Sequence, residues 1–157
     1  MDQEIKSDID QLQAELQEAV LSDIRGIYSE TVIDHAMNPR NVGEMTDADG
    51  YGSAVGHCGD DIEVWLRLRN DNIVDVKFWT NGCATTIASG SMVTEMAKGK
   101  LVAEASEIGQ QDVLTALDGL PEESEHCAQL AVTALKEAIK DYVALKREPW
   151  KKSYRKA

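Results

Sequence analysis

Three cysteines, Cys58, Cys83 and Cys127, are the residues of this 157-residue chain best suited to chemistry. Each has a setting that favours a reactive thiolate. Cys58 lies in Gly56-His57-Cys58-Gly59-Asp60-Asp61, between glycines that leave the backbone free to turn. Cys83, in Asn81-Gly82-Cys83-Ala84-Thr85-Thr86, stands where the pattern becomes helical, and Cys127 follows His126 in the first turn of a long helical stretch. A helix N-terminus carries partial positive charge and unpaired N–H groups, and both lower the pKa of a thiol. Three thiols are one ligand short of a closed tetrahedral site. Asp60, His126 and His57 are the neighbours able to supply the fourth, and a partner is the other source. An open three-cysteine site suits the temporary holding of a metal or a cluster.

Alternatives stand beside that reading. The separations, 25 residues from Cys58 to Cys83 and 44 from Cys83 to Cys127, mean that only folding gathers the thiols. A cysteine is also a good core residue, although a Gly-Cys-Gly-Asp turn is a poor place for one. Asp60 also suits a turn, and His126 also suits a helix start beside Glu123 and Glu125. His35 reads as structural or surface. No CxxC pair occurs, which disfavours a zinc ribbon or a thioredoxin-like redox site. A cysteine hydrolase is disfavoured because adjacent His126 and Cys127 on one helix point in different directions, whereas nucleophile and base must face each other.

The elements that position these residues follow from periodicity. Ile5, Ile9, Leu12 and Leu16 recur at three- and four-residue spacing, predicting an amphipathic helix over 2–22 that packs on its own domain or else on a partner and ends before Gly26. Ser29 caps a short helix stopped by Asn38-Pro39. The following loop, 38–50, is rich in Asn, Gly and Asp and reads as exposed and mobile. Residues 62–69 alternate apolar and polar, Asn70-Asp71-Asn72 is turn chemistry, and 73–79 form the returning strand. A weaker strand, 51–55, completes a meander. Helices follow over 85–98, near 101–105 and 110–117, and over 124–146. Strands first and helices after predict an α+β fold: a three-stranded antiparallel sheet with helices packed on one face, plus the N-terminal amphipathic helix. The division is an acidic helix over 1–25, a domain over 26–147 and a basic tail over 148–157.

Composition bounds the partners. A net charge of −12 argues against nucleic acid. Residues 1–25 hold seven acids and two bases, whereas 136–157 hold eight bases and three acids. No apolar run approaches membrane-spanning length, and the acidic N-terminus does not read as a secretion signal. An odd cysteine count argues against a disulfide framework and for a reducing, cytoplasmic setting.

Several stretches together carry a resemblance. They are 28–35 with Asn38-Pro39-Arg40-Asn41-Val42-Gly43; Cys58-Gly59-Asp60; Gly82-Cys83-Ala84 with Ile87-Ala88-Ser89-Gly90-Ser91; Thr94-Glu95 with Lys98-Gly99-Lys100; and His126-Cys127 with Leu130-Ala131. In this order they resemble the iron–sulfur cluster assembly scaffold family, of the IscU type and the N-terminal domain of NifU. The resemblance runs from about Tyr28 to Tyr142. It implies a carrier rather than an enzyme: a cytoplasmic scaffold that takes sulfur from a cysteine desulfurase and iron from an iron donor. It would build a [2Fe–2S] or [4Fe–4S] cluster and pass it to apo-protein acceptors. It also implies Cys58, Cys83 and Cys127 as cluster ligands, Asp60 as the residue of cluster lability, His126 as the alternative ligand and Cys127 as the persulfide acceptor. Zinc would occupy the same residues when the cluster is absent. Homo-oligomers fit the resemblance. The other implied reading is a zinc-bound persulfide acceptor that stimulates a desulfurase.

The chain departs from the family in one stretch. Where the IscU branch has Leu-Pro-Pro-Val-Lys, read by a dedicated chaperone, this chain has Leu120-Pro121-Glu122-Glu123-Ser124. Recognition by that chaperone is therefore not implied by the resemblance. With His126 kept and no insertion before the third cysteine, the chain resembles IscU and NifU more than the SufU branch.

Overall fold

The computed structural model describes residues 2–57 and 59–154. Cys58 and residues 155–157 of the basic tail lie outside the described residues. In chain order the elements are α1 (Asp2–Ile27), α2 (Glu30–Met37), β1 (Gly50–Val55), β2 (Asp61–Arg69), β3 (Asn72–Thr80), α3 (Ala84–Ala97), α4 (Val102–Ala105), α5 (Gln110–Ala116) and α6 (Glu125–Arg147). A 3₁₀ turn, Glu122–Ser124, leads into α6, and another, Pro149–Tyr154, follows it.

The three strands form one antiparallel sheet in the order β1-β2-β3. Asn70 and Asp71 hold the β2–β3 hairpin with φ of 53° and 63°, the left-handed pair that a tight two-residue turn needs and that Asn and Asp tolerate. Alternation sends Ile62, Val64 and Leu66 of β2 and Val76 and Phe78 of β3 into the core. The register shifts between Arg67 and Leu68, so Val74 bulges outward and is exposed while Ile73 is buried. Tyr51 and Trp65 pack on the opposite face with ring centroids 5.5 Å apart.

The helices cover one face, as the strand pattern predicts. α6 lies over β1 and β2, and α3 lies over β3. The approach of α6 is set by Gly52: a Cβ there would stand 2.2 Å from the Ala138 amide nitrogen and 2.6 Å from the Ala134 carbonyl oxygen. α3 buries small polar residues, and its hydroxyls are satisfied along the helix. Ser89 donates to the Thr85 carbonyl at 2.7 Å and Thr94 to the Gly90 carbonyl at 2.8 Å.

Three expectations need correction. α1 runs through Gly26 to Ile27, since one exposed glycine costs a helix only about 1 kcal/mol. Its last turns are held against α2. Secondly, the apolar stripe of α1 does not pack on the domain, and none of its residues is buried. Thirdly, the loop after α2 is pinned. Gly43 donates to the Phe78 carbonyl at 2.9 Å, Phe78 donates to the Asn41 carbonyl at 2.9 Å, and Ala48 is buried. Among the described residues no helix is long and apolar enough to cross a membrane.

Candidate functional site

Two helix starts bring their thiols together. Cys83 is the N-cap residue of α3, with extended backbone and no side-chain cap bond. Gly82 before it leaves room for the turn, because a Cβ there would fall 2.7 Å from the Cβ of Thr86. Cys127 lies in the first turn of α6, and His126 immediately precedes it. Both helices pack on the same sheet face, so their N-terminal ends meet.

Thr85 and Thr86, in the first turn of α3, join the parts. The Thr85 hydroxyl lies 3.1 Å from Cys83 Sγ and 3.4 Å from Cys127 Sγ. The Thr86 hydroxyl donates to Asp60 Oδ2 at 3.0 Å, and stands 3.5 Å from Cys127 Sγ and 3.7 Å from Cys83 Sγ. One hydroxyl proton therefore faces a carboxylate and two sulfurs. Cys127 Sγ also lies 3.7 Å from His126 Nε2. Thus Asp60, Cys83, His126 and Cys127 converge around two buried threonines. Among the described residues no three His, Cys, Asp or Glu side chains touch as a metal-holding cluster. The threonine hydroxyls stand between the donors, and Cys58 is outside the described residues.

The two thiols differ in access. Cys127 is buried, whereas Cys83 is exposed. Burial of part of the Cys83 side chain pushes its pKa up, but hydrogen bonds from the Thr85 hydroxyl and from the Thr86 backbone and side chain outweigh it, and the thiol sits below its ordinary value. Thr85→Val is therefore expected to raise the pH at which Cys83 becomes reactive. Alkylation rate followed against pH would report this, and an unchanged or lower midpoint would refute it.

The other histidines go elsewhere. His57 is exposed and lines a groove of about 310 Å³ with His126, Leu130 and Val55. His35 is structural. It is buried, with Nδ1 2.7 Å from Ser91 Oγ, which also accepts the Arg40 amide at 2.9 Å. Burial, assisted by the Arg40 charge, lowers its pKa below the usual histidine value. An apolar cleft of about 150 Å³ adjoins the site, between the last turns of α1, α2 and Thr85.

Sequence reading missed the roles of Thr85 and Thr86. The signal was present only as two hydroxyl residues two and three positions after the helix-start cysteine.

Fold and site define a small α+β domain that presents thiols at the meeting point of two helix N-termini. Residues 27–148 match the NifU-like N terminal domain, and the chain belongs to that family. It is 50% identical over 118 residues to the iron–sulfur cluster assembly scaffold protein IscU 1 of Archaeoglobus fulgidus, covering 74% of this chain and 76% of the relative. It is 45% identical over 126 residues to the scaffold protein IscU of Escherichia coli strain K12, covering 77% of this chain and 97% of the relative. Its fold matches the crystal structure of the N-terminal part of a nitrogen-fixing NifU-like protein from Brucella abortus with a TM-score of 0.62. That match has 19% identity and covers 77% of this chain and 97% of the other.

Proposed function

We propose that this chain is an iron–sulfur cluster assembly scaffold, a carrier and not a turnover catalyst. The carrying observation is the convergence of Asp60, Cys83 and Cys127 on the Thr85 and Thr86 hydroxyls, with His126 beside Cys127. Cys83 and Cys127 supply soft thiolates, and Cys58, beside Asp60 in sequence, supplies the third. Asp60 supplies a hard oxygen, which binds iron less tightly among sulfurs than a fourth thiolate does. Such a donor set holds its cargo and lets it go. The cargo is a [2Fe–2S] or [4Fe–4S] cluster, with zinc filling the same donors in its absence.

Sulfur arrives as a persulfide from a cysteine desulfurase, and Cys127 accepts it. Iron comes from an iron donor, and the finished cluster leaves for apo-proteins in the cytoplasm. The scaffold domain spans 26–147, with the acidic helix 1–25 and the basic tail 148–157 as extensions. The resemblance does not extend to the segment read by the Leu-Pro-Pro-Val-Lys chaperone, since 120–124 lacks the second proline and the lysine.

Anaerobic reconstitution with iron, cysteine and a desulfurase tests this. Visible charge-transfer bands should develop and then decay when a chelator is added, and decay should be several-fold slower in Asp60→Ala. A protein that keeps zinc and never develops those bands would be a zinc-bound persulfide acceptor instead. Equal or faster decay in the variant would remove Asp60 from the donor set.

A further inference from the structure

α1 displays apolar residues that the rest of the chain does not use. Ile5, Ile9, Leu12, Leu16 and Val20 are each between 50% and 59% exposed. The main packing of α1 is against α2, through its last turns, where Leu21 and Ile24 line an apolar cleft with Val32 and Ile33. The remaining five turns or so stand clear of the domain. This helix also lies outside the residues that match the family.

The spacing of the stripe fits the face of a second helix. From Ile5 through Ile9, Leu12 and Leu16 to Ala19 the steps are four, three, four and three residues. That is a coiled-coil seam of two residues in seven, narrower than the three-in-seven stripe that lies on a globular core. In heptad terms Ile9 and Leu16 are a positions, and Ile5, Leu12 and Ala19 are d positions.

We infer that α1 is a dimerisation helix: two copies of this chain associate through a parallel, in-register coiled coil along Ile5, Ile9, Leu12, Leu16 and Ala19. The flanking charges fix the orientation. In a parallel pair Asp8 faces Gln13 of the second copy and Glu15 faces Val20, so no like charges meet beside the seam. An antiparallel pair would set Asp8 against Glu15. Glu4, Asp10 and Glu18 point away from the seam in either case. A seam about 21 Å long buries roughly 1,000 Å² in total, the lower end for a specific interface. The dimer is therefore weak and reversible, in roughly the micromolar range or weaker.

Sedimentation of the full chain across that concentration range tests the inference. The parent should associate, and Leu12→Asp should weaken association at least about 10-fold with its domain's melting temperature unchanged, since Leu12 contributes nothing to the core. Ala14→Asp, the same charge on the outer face, should dimerise nearly as the parent does. Raising salt from about 0.02 M to about 0.3 M should tighten the dimer by screening two acidic helices. Ile5→Cys should form an oxidised dimer, above the parent's background, because a parallel register puts the two Ile5 positions together at one end of the seam, whereas an antiparallel pair sets them at opposite ends. A monomeric parent would overturn the inference. So would a dimer indifferent to Leu12→Asp, or one that salt weakens, which would point to docking of acidic α1 on a basic surface. Failure of Ile5→Cys to cross-link would overturn the parallel register. None of these readouts depends on cluster assembly.

Discussion

Replacing Cys127 by serine should reduce desulfurase-dependent cluster assembly to background, a loss of at least about 100-fold in initial rate. The reason begins with the sulfur. Transfer requires a thiolate to attack the outer sulfur of a desulfurase persulfide; a new S–S bond forms at Cys127 and the desulfurase cysteine leaves as its own thiolate. A serine hydroxyl does not ionise near neutral pH and gives neither that bond nor a soft ligand. The surroundings of Cys127 add to its role: two threonine hydroxyls at 3.4 Å and 3.5 Å, and the His126 imidazole at 3.7 Å, are all able to interact with a sulfur anion. Its burial, at 2% exposure, makes the experiment informative, because Cys83 is the thiol that an incoming donor meets on the surface. Mass spectrometry after brief incubation with the desulfurase should place one extra sulfur atom on Cys127 in the parent. Undiminished assembly in Cys127→Ser, or the added sulfur found on Cys83 alone, would move the acceptor role to Cys83.

The contrast between these two thiols shows what was legible in the sequence and what was not. Their placement at helix starts could be read, because apolar periodicity after Gly82-Cys83 and after His126-Cys127 marks where each helix begins. Their mutual distance could not, since it depends on two helices lying side by side on one sheet face. Thr85 and Thr86 were invisible as participants for the same reason. A hydroxyl in a first helical turn is ordinary, and it becomes part of a site only when another element brings a sulfur within reach. The loop after α2 misled in the opposite direction. Its Asn, Asp and Gly content signals turns, and Asn41 and Asp47 do take positive φ. Composition is silent, however, about the backbone bonds to Phe78 that pin it. The α1 stripe shows a third limit: spacing gives the period and the face, but only the fold shows that the domain leaves that face bare.

Gly52→Ala, a single added methyl group, should destabilise the domain by about 3 kcal/mol or more and lower its melting temperature by roughly 10 °C. β1 reads as only a weak strand, because Gly50 and Gly52 have poor strand propensity. The fold explains why that weakness is retained. A Cβ on Gly52 would lie 2.2 Å from the Ala138 amide nitrogen, 2.6 Å from the Ala134 carbonyl oxygen and 2.7 Å from the Glu137 carbonyl carbon. All three are backbone atoms of α6, so no side chain can rotate away. The helix itself must retreat by more than 1 Å to restore ordinary contact. Retreat opens the layer where Ala134, Leu135 and Ala138 meet the sheet, and these three are fully buried. It also carries His126 and Cys127, at the start of the same helix, away from Thr85 and Cys83. Thermal unfolding of Gly52→Ala beside Ser53→Ala, whose side chain faces solvent on the same strand, isolates the effect. A Gly52→Ala variant within about 1 kcal/mol of the parent would mean that α6 rides higher on β1 than this packing allows.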